Sequence, residues 1–370
     1  MSPSSSPADG GPFDFLVNRG PAAEATSSTA WLRAMIEVEA AVAQAWGEVL
    51  AAPPEVSRAI AEACDVERVD VGAVFAAAEL GGNPVIPLVP ILKELAGPAA
   101  AELLHRGATS QDIFDTAAML VVRRCSDLVR DRLLAVRSTA TSLVRNHGTT
   151  PMIGRTLLQH AVPTTFGAVV DRWLAGLDAA RAEIGRVDTE LPLQLGGPVG
   201  DRASFGEQFG LVVALVAARL TLVAPATSWH TQRAPTAAIA GAWGLAASAV
   251  GAIALDIVLL AQSDVGEVAE VAEGAGGSSS MPHKHNPIAA VSARAAVMQT
   301  PGLVATLLDA AGSHELERAA GAWHAEWPAL NNLLRATAAA VDWLGISLER
   351  LVVDDDRMAA NLARSQGTRQ

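Results

Sequence analysis

The sequence predicts an all-α protein, and three observations lead to this prediction. Half of the 370 residues are hydrophobic, only 4% are aromatic, and tyrosine is absent. Alanine is frequent almost everywhere, whereas runs of the β-branched and aromatic residues that strands prefer are few. Several apolar segments keep helical spacing well beyond the usual length of about 11 or 12 residues. These lengths favour a long bundle whose faces are completed by other subunits.

The chain divides into four predicted segments. Residues 1–12 are rich in serine, proline and glycine and are expected to be disordered. Residues 13–104 are predicted to form a small N-terminal helical domain, which begins with an amphipathic helix after Thr29. Residues 105–350 are predicted to form the central long-helix bundle, and residues 351–370 read as a short polar remnant of a C-terminal domain.

The formal net charge of −12 disfavours nucleic acid and anionic membrane surfaces as partners, since such binding needs a basic footprint. An acidic small molecule remains possible if a local pocket supplies the cations. Cys64 and Cys125 have no metal-site spacing and nothing at the start resembles a secretory signal, so a cytoplasmic location without disulfides is expected.

The uncharged segment Ala234 to Leu255 is long enough to span a bilayer. It consists mostly of alanine and glycine, Asp256 follows it immediately, and no basic flank gives it an orientation. We therefore interpret it as a helix buried inside a bundle rather than as a membrane segment.

The stretch Gly274 to Pro287, GAGGSSSMPHKHNP, is predicted to be a mobile loop, because glycines and prolines prevent regular structure. Asn286 suits an N-cap and Pro287 the first helical position, so free backbone N–H groups should face the loop. Together with Lys284, such a helix end is an anion site. A solvated Gly/Ser linker is the alternative on composition alone.

A second candidate segment is HRGATSQDIFD, from His105 to Asp115. Thr109 and Asp112 have capping-box spacing, so a well-capped helix alone would explain much of the pattern. That explanation leaves the cations of His105 and Arg106 unaccounted for. We infer a second helix start equipped for an anion.

The third segment is GRTLLQHAVPTTFG, in which Arg155, Gln159 and His160 precede Pro163, the predicted first residue of the next helix. A lone histidine here is more often structural than catalytic. Convergence of the three segments on one multiply charged anion explains all of them. A metal site built from His283 and His285 with another histidine is the competing interpretation, but Lys284 between them opposes it, and no metal or cofactor is predicted.

The serine-rich stretch resembles the signature GSSxxPxKxN of the fumarase/aspartase superfamily, and the other two segments resemble its two further regions in the same order. The matched signature positions are Gly277, Ser278, Ser279, Pro282, Lys284 and Asn286. The resemblance implies an all-α fold with a long central bundle. It also implies a homotetramer in which each active site is built from three subunits.

The resemblance also implies residue roles around a small tricarboxylate substrate. Ser278 is the predicted proton donor, with Ser279 as the nearest rival. The predicted catalytic residues are Ser278, His160 and Lys284. The predicted substrate-binding residues are His105, Thr109, Ser110, Arg155, Gln159, Ser279, Asn286 and Arg318, of which Arg155, Gln159 and Arg318 are alternatives for one carboxylate.

Two departures from the superfamily pattern refine the expected activity. Its lyases carry a proton-transferring histidine where this chain has Leu157, which favours the cycloisomerase branch, whose reaction is an intramolecular lactonisation. The chain also stops soon after Asp356, where relatives continue into a further helical domain that helps to close the site. A fumarate-releasing lyase and a non-catalytic structural homologue are the alternatives.

Overall fold

A computed structural model describes residues 11–281 and 284–367. These residues form fifteen α-helices, two 3-10 turns and four short strands. The helices are α1 (Asp14–Val17), α2 (Gly20–Ala25), α3 (Ser28–Val49), α4 (Pro54–Ala63), α5 (Val71–Gly81), α6 (Val85–Ala96), α7 (Pro98–Ala101), α8 (Ser110–His147), α9 (Phe166–Thr189), α10 (Phe209–Leu220), α11 (Ala234–Leu260), α12 (Ile288–Val297), α13 (Thr300–Gly312), α14 (Ala322–Glu349) and α15 (Asp355–Gly367). The strands are β1 (Pro151–Thr156), β2 (Gln159–Thr165), β3 (Val268–Glu270) and β4 (Leu351–Val353), and the 3-10 turns are Val66–Arg68 and Ala203–Gln208.

The long helices α8, α9, α11, α12, α13 and α14 pack side by side as the central bundle. Arg233, at the start of α11, pairs with Asp115 near the start of α8 and with Glu326 near the start of α14. These three helices therefore begin at the same end of the bundle and run parallel, and the intervening helices return between them. The predicted all-α class is confirmed, with two small two-stranded sheets added.

Helix α8 fixes the dimensions of the bundle. Thr109 is its N-cap, Asp112 lies in its first turn, and Arg145 and His147 lie in its last turn, so its terminal charges suit the helix dipole. Its 38 residues correspond to a length of about 57 Å at 1.5 Å per residue. Residues near its two ends therefore cannot meet within one chain.

The segment after α8 is a β-hairpin, which corrects the prediction that Pro163 opens a helix. Strands β1 and β2 pair antiparallel, and Pro163 lies within β2 opposite Ile153. Helix α9 starts three residues later, where the Thr165 side chain accepts a hydrogen bond of 3.2 Å from the amide of Ala168. The β-branched residues around Pro163 suit an extended strand, and Thr165 is the better N-cap.

Three further helix predictions need correction. The helix expected from Pro287 divides into α12 and α13, since Met298 and Gln299 separate them and Pro301 suits the start of the second. Helix α14 begins at Ala322, whereas the sequence predicts a helix only from after Leu330 to about Leu344. The predicted polar tail contains helix α15, whose Met358 is fully buried. The domain boundaries themselves stay predictions, and residues 1–10 of the expected disordered segment lie outside the described residues.

Much apolar helix surface stays uncovered in the single chain. Among the described residues, Ala203–Leu220, Ala234–Leu260 and Ile288–Gly312 reach the length and composition of membrane-crossing helices. Only 22%, 44% and 33% of their most apolar windows, respectively, are buried within the chain. These helices therefore present apolar faces that another surface could cover.

Candidate active site

Numbered in chain order, the first of the three motifs is the segment from His105 to Asp115, the second is the hairpin segment, and the third is the serine-rich loop. The first motif is held in place by the buried carboxylate of Asp112. Its Oδ2 accepts the amide of Thr109 at 3.0 Å and that of Gly197 at 2.9 Å, and its Oδ1 accepts the amide of Gly196 at 2.8 Å. The Nε2 atom of His230 lies 2.7 Å from Oδ1. The capping box is therefore present, but Asp112 has a second role. Its carboxylate also binds a distant glycine-rich loop that begins at Gly196.

His105, just before the motif, is clamped by Glu39 of α3. The Glu39 carboxylate, fully buried, accepts the His105 amide at 3.0 Å and lies 2.6 Å from Nδ1 of the ring. Burial of the imidazole lowers its pKa, but the hydrogen bond and charge of Glu39, with a smaller contribution from Asp112, outweigh burial and raise the pKa of His105. The Glu39 carboxylate therefore favours the protonated form of the His105 imidazole.

Arg318 reaches the same region from the loop between α13 and α14. Its Nη2 donates to the carbonyl of Pro198 at 2.7 Å, in the glycine-rich loop that Asp112 holds. Ser204, further along that loop, donates to the carbonyl of Gly107 at 2.5 Å. The structure therefore gathers Thr109, Ser110, His105 and Arg318 around one end of α8.

A cavity of about 510 Å³ borders this region between the N-terminal helices and α14. Aromatic side chains form much of its wall: Trp31, Phe75, Phe114 and Trp327. The Arg335 guanidinium also lines it, donating to the side chain and carbonyl of Thr26 at 2.8 and 2.7 Å. It pairs with no carboxylate of the described residues, and burial lowers its pKa. An unpaired, half-buried guanidinium in an acidic chain favours an anionic ligand.

The second motif lies at the other end of α8, on the hairpin. Arg155 donates twice to the fully buried carboxylate of Glu267, at 2.9 and 2.7 Å, so its charge is already matched within the chain. His160 and Arg155 line a cleft of about 460 Å³ beside the end of α11, whereas Gln159 is an exposed residue of β2.

The tip of the hairpin is a two-residue turn in an unusual conformation. Leu157 and Leu158 have φ angles of 48° and 63°, and they are 96% and 70% exposed. A turn with both central residues left-handed normally takes Asn-Gly, and non-glycine residues there carry strain. Two bulky apolar side chains are therefore exposed on a turn whose left-handed backbone conformation is unfavourable for leucine.

The serine-rich loop is closed at a narrow neck. Both the backbone and the side-chain nitrogen of Asn286 donate to the carbonyl of Gly276, at 2.8 and 2.9 Å. The Ser278 hydroxyl accepts the amide of Met281 at 3.2 Å, while Ser279 and Lys284 are exposed. Pro282 and His283, named in the motif and in the metal alternative, lie outside the described residues. The loop thus projects its hydroxyls and its lysine from a fixed base.

The helix start beyond this loop differs from the prediction. Asn286 is not the N-cap of α12, since its side chain binds Gly276 and Pro287 occupies the cap position. The amides of Ala289 and Ala290 instead donate to the Glu270 carboxylate at 2.9 and 2.8 Å. The expected anion position at this helix end is therefore taken by a carboxylate of the same chain.

The three motifs fall into two groups within one chain. The first motif and Arg318 lie at the starting end of α8. The hairpin follows the far end of α8, and Glu267, its ion-pair partner, directly precedes β3 and the serine loop. Because α8 is about 57 Å long, a single site with all three motifs requires more than one copy of the chain.

Several residues that organise these motifs were missed at the sequence level. Glu39, Glu267 and Glu270 look like ordinary surface carboxylates in sequence, and His230 has no motif around it that we recognised. A weak signal existed for Glu39 and Glu270, because each stands between apolar residues in the sequence. Among residues 11–281 and 284–367 no three potential metal ligands group together.

With this geometry established, comparisons with known proteins define the class. A protein-family model described as "Lyase" matches residues 17–302. The chain therefore belongs to this lyase family of enzymes, in agreement with the fumarase/aspartase resemblance.

Individual relatives agree with the family but differ in activity. The chain is 42% identical to nitrosuccinate lyase of Streptomyces davaonensis, over 94% of this chain and 76% of that protein. It is 41% identical to 3-carboxy-cis,cis-muconate cycloisomerase of Bradyrhizobium diazoefficiens, over 91% and 75%. The crystal structure of 3-carboxy-cis,cis-muconate lactonizing enzyme from Pseudomonas putida matches with a TM-score of 0.91 at 37% identity, covering 96% of this chain and 80% of that one.

Proposed function

We propose that this protein is a cycloisomerase that converts 3-carboxy-cis,cis-muconate to 4-carboxymuconolactone, in the protocatechuate branch of the β-ketoadipate pathway. One carboxylate oxygen of the linear tricarboxylate adds to a carbon of the conjugated diene and forms the C–O bond of the lactone. The neighbouring carbon takes a proton from the protein. No bond to a cofactor is made, so the protein has to stabilise charge and deliver one proton.

Leu157 is the observation that carries this proposal. In the fumarate-releasing lyases that the sequence resembles, this position holds the histidine to which proton transfer is assigned. Here the hairpin presents a leucine, 96% exposed, which has no proton to transfer. Proton transfer then falls to the serine loop, with Ser278 as donor and Lys284 nearby to stabilise its alkoxide.

The charges available for a tricarboxylate support the same proposal. The addition places negative charge on a substrate carboxylate, and fixed cations stabilise that charge most where water is excluded. Two of the residues predicted to act on the substrate, Lys284 and Arg318, are cations outside ion pairs with described residues, whereas Arg155 is matched by Glu267. Arg335, in the aromatic cavity beside the first motif, adds a third cation.

We also propose a homotetramer with sites shared between subunits, acting in the cytoplasm. The motifs lie too far apart along α8 for one small tricarboxylate to reach all of them in a single chain. A site shared between subunits would bring them around the same substrate. The apolar faces of α11, α12 and α13 supply surface for the contacts. Cys64 and Cys125 are free thiols, which suits a compartment where thiols stay reduced.

The test is turnover of 3-carboxy-cis,cis-muconate by the purified protein, followed as loss of the diene absorbance. We expect Ser278→Ala to lower kcat by ~100- to 10,000-fold, the usual contribution of general acid–base catalysis. Ser280→Ala, a change in the same exposed loop, is the matched control and should retain near-normal turnover. If Ser279→Ala rather than Ser278→Ala abolishes turnover, the rival serine is the donor. Lys284→Met should lower kcat and also raise KM, because Lys284 stabilises the Ser278 alkoxide and binds a substrate carboxylate.

Nitrosuccinate is the second candidate substrate, because one of the reported relatives is a nitrosuccinate lyase. Elimination from nitrosuccinate breaks a C–N bond and releases nitrite together with an unsaturated diacid, whereas lactonisation releases nothing. Nitrite formation without diene consumption would replace the cycloisomerase proposal with this lyase activity. If the protein neither consumes the diene nor releases nitrite, this result would favour a non-catalytic homologue.

A further inference from the structure

The buried imidazole of His230 has no part in the reaction described above, yet it lies against the first motif. It belongs to the segment before α11, and only 3% of it is exposed. Its Nε2 lies 2.7 Å from Oδ1 of Asp112. Its Nδ1 makes no hydrogen bond with any other described residue. Within the described structure, Asp112 is therefore the one polar anchor of this ring.

Asp112 in turn connects segments that are far apart in sequence. Besides His230, its fully buried carboxylate binds the amides of Gly196, Gly197 and Thr109. A carboxylate has room for about four such hydrogen bonds, so the set is complete. The Nε2–H group of His230 fixes the orientation of the Asp112 carboxylate. The carboxylate in turn fixes the backbone at Thr109 and at Gly196 and Gly197.

The glycine-rich loop also packs directly on the His230 ring. A Cβ atom on Gly196 would lie 2.8 Å from Cε1 of the ring, and one on Gly200 would lie 3.2 Å from Nδ1. The loop therefore follows the surface of the imidazole, and any rotation of the ring would displace it. Pro198, at the centre of this loop, accepts the hydrogen bond from Arg318.

We propose that His230 is a positioning residue of the active site. By donating from Nε2 to Asp112, it sets the carboxylate that holds Thr109 and the glycine-rich loop. It thereby places the hydroxyls of Thr109 and Ser110 and the guanidinium of Arg318 for a substrate carboxylate. The expected effect of His230 on turnover rests on the proposed function. Its expected effect on the backbone of Thr109 and the glycine-rich loop does not.

Two substitutions separate positioning from simple filling of space. In His230→Gln the side-chain amide extends to the place of Nε2 and can still donate to Asp112. In His230→Asn the amide is too short to reach that place. If His230 only fills space, the two variants should be equally impaired. If it positions Asp112, His230→Gln should keep most of the function that His230→Asn loses. Trp343→Phe is the control, because it removes another ring N–H bond, 3.0 Å to the Leu16 carbonyl, in the C-terminal half of α14.

The first readout is amide hydrogen exchange in peptides covering residues 105–112 and 191–200, which needs no substrate. We expect His230→Asn to accelerate exchange at Thr109, Gly196 and Gly197 by about tenfold or more, with Gln near wild type. The second readout is kcat/KM for 3-carboxy-cis,cis-muconate, which should fall ~10- to 100-fold in Asn and by less than about threefold in Gln. Trp343→Phe should change neither.

Unchanged exchange in the Asn variant, or equal impairment of Asn and Gln, would overturn the inference. If wild-type protein consumes no 3-carboxy-cis,cis-muconate, the proposed function fails while the exchange measurement still decides the role of His230.

Discussion

The ion pair between His105 and Glu39 shows how a single buried residue prepares the first motif. His105 has a left-handed backbone with φ of 60°, an uncommon conformation for a residue other than glycine. Glu39 binds both its amide and its ring, which compensates that conformation with two hydrogen bonds. The predicted substrate contact of His105 stays a prediction, but its ring nitrogen Nδ1 is already committed to Glu39.

The pH dependence of stability tests this pair. The pKa of His105 is raised in the folded chain, so its stabilisation is complete below the ordinary histidine pKa and is lost as the pH rises through the raised value. Glu39→Gln should therefore cost about 2 kcal/mol of unfolding free energy near pH 5.5 and clearly less near pH 9, measured by urea denaturation.

Glu37→Gln is the matched control, because Glu37 lies in the same helix and pairs with Arg124 at the surface. It should cost little at either pH, since exposed ion pairs contribute little. A Glu39→Gln difference that stays constant from acid to alkaline pH would contradict a charged His105.

At the scale of elements, the serine loop depends on its neck. Gly276 has φ of 72°, and a Cβ atom there would lie 2.4 Å from the carbonyl oxygen of Asn286. Only glycine allows the backbone at position 276 to approach the backbone of Asn286 so closely. The position of Ser278 and Lys284 is therefore set by backbone contacts rather than by a packed core.

Gly276→Ala should lower kcat by about tenfold or more, because the neck can no longer close and fewer molecules hold the loop in its working position. The melting temperature should change little, since the loop buries few side chains. Gly274→Ala is the matched control, with the same φ of 72° but no atom within 4 Å of the added Cβ. Equal kcat losses in the two variants would show that backbone strain, and not the neck contact, governs the loop.

At the scale of the whole molecule, the length of α8 governs where a complete site can form. Thr109 and Ser110 stand at one end of the bundle, and the hairpin and serine loop lie towards the other. Facing copies with opposite helix directions would bring unlike ends together. Closed symmetric assemblies provide such contacts, and the exposed apolar helix faces supply their area.

Mixing two variants that are each expected to be impaired tests the shared site. Ser110→Ala and Ser278→Ala alter different motifs, so mixed tetramers refolded together should contain sites with both motifs intact. Random mixing in equal amounts should restore about one quarter of wild-type activity. Ser278→Ala mixed with Lys284→Met should gain no activity beyond that of the two variants alone, because both changes fall in one loop. Failure of the first mixture to regain activity would contradict a site that combines Ser110 of one subunit with Ser278 of another.

The sequence alone determined the all-α class, the long bundle and the three motifs, because helical periodicity and short motifs are local properties of the chain. It did not determine the hairpin at Pro163, where an extended strand and a helix start compete over a few residues. Nor did it determine that Asn286 closes the loop neck instead of capping α12.

The tertiary structure decided which side chains the motif residues meet. His230 and Asp112 are 118 positions apart, and Arg155 and Glu267 are 112 apart, so no local pattern pairs them. Burial makes such pairs obligatory, since an unmatched charge or amide away from water is costly. Which carboxylate satisfies each charge or amide depends on the packing of the whole bundle.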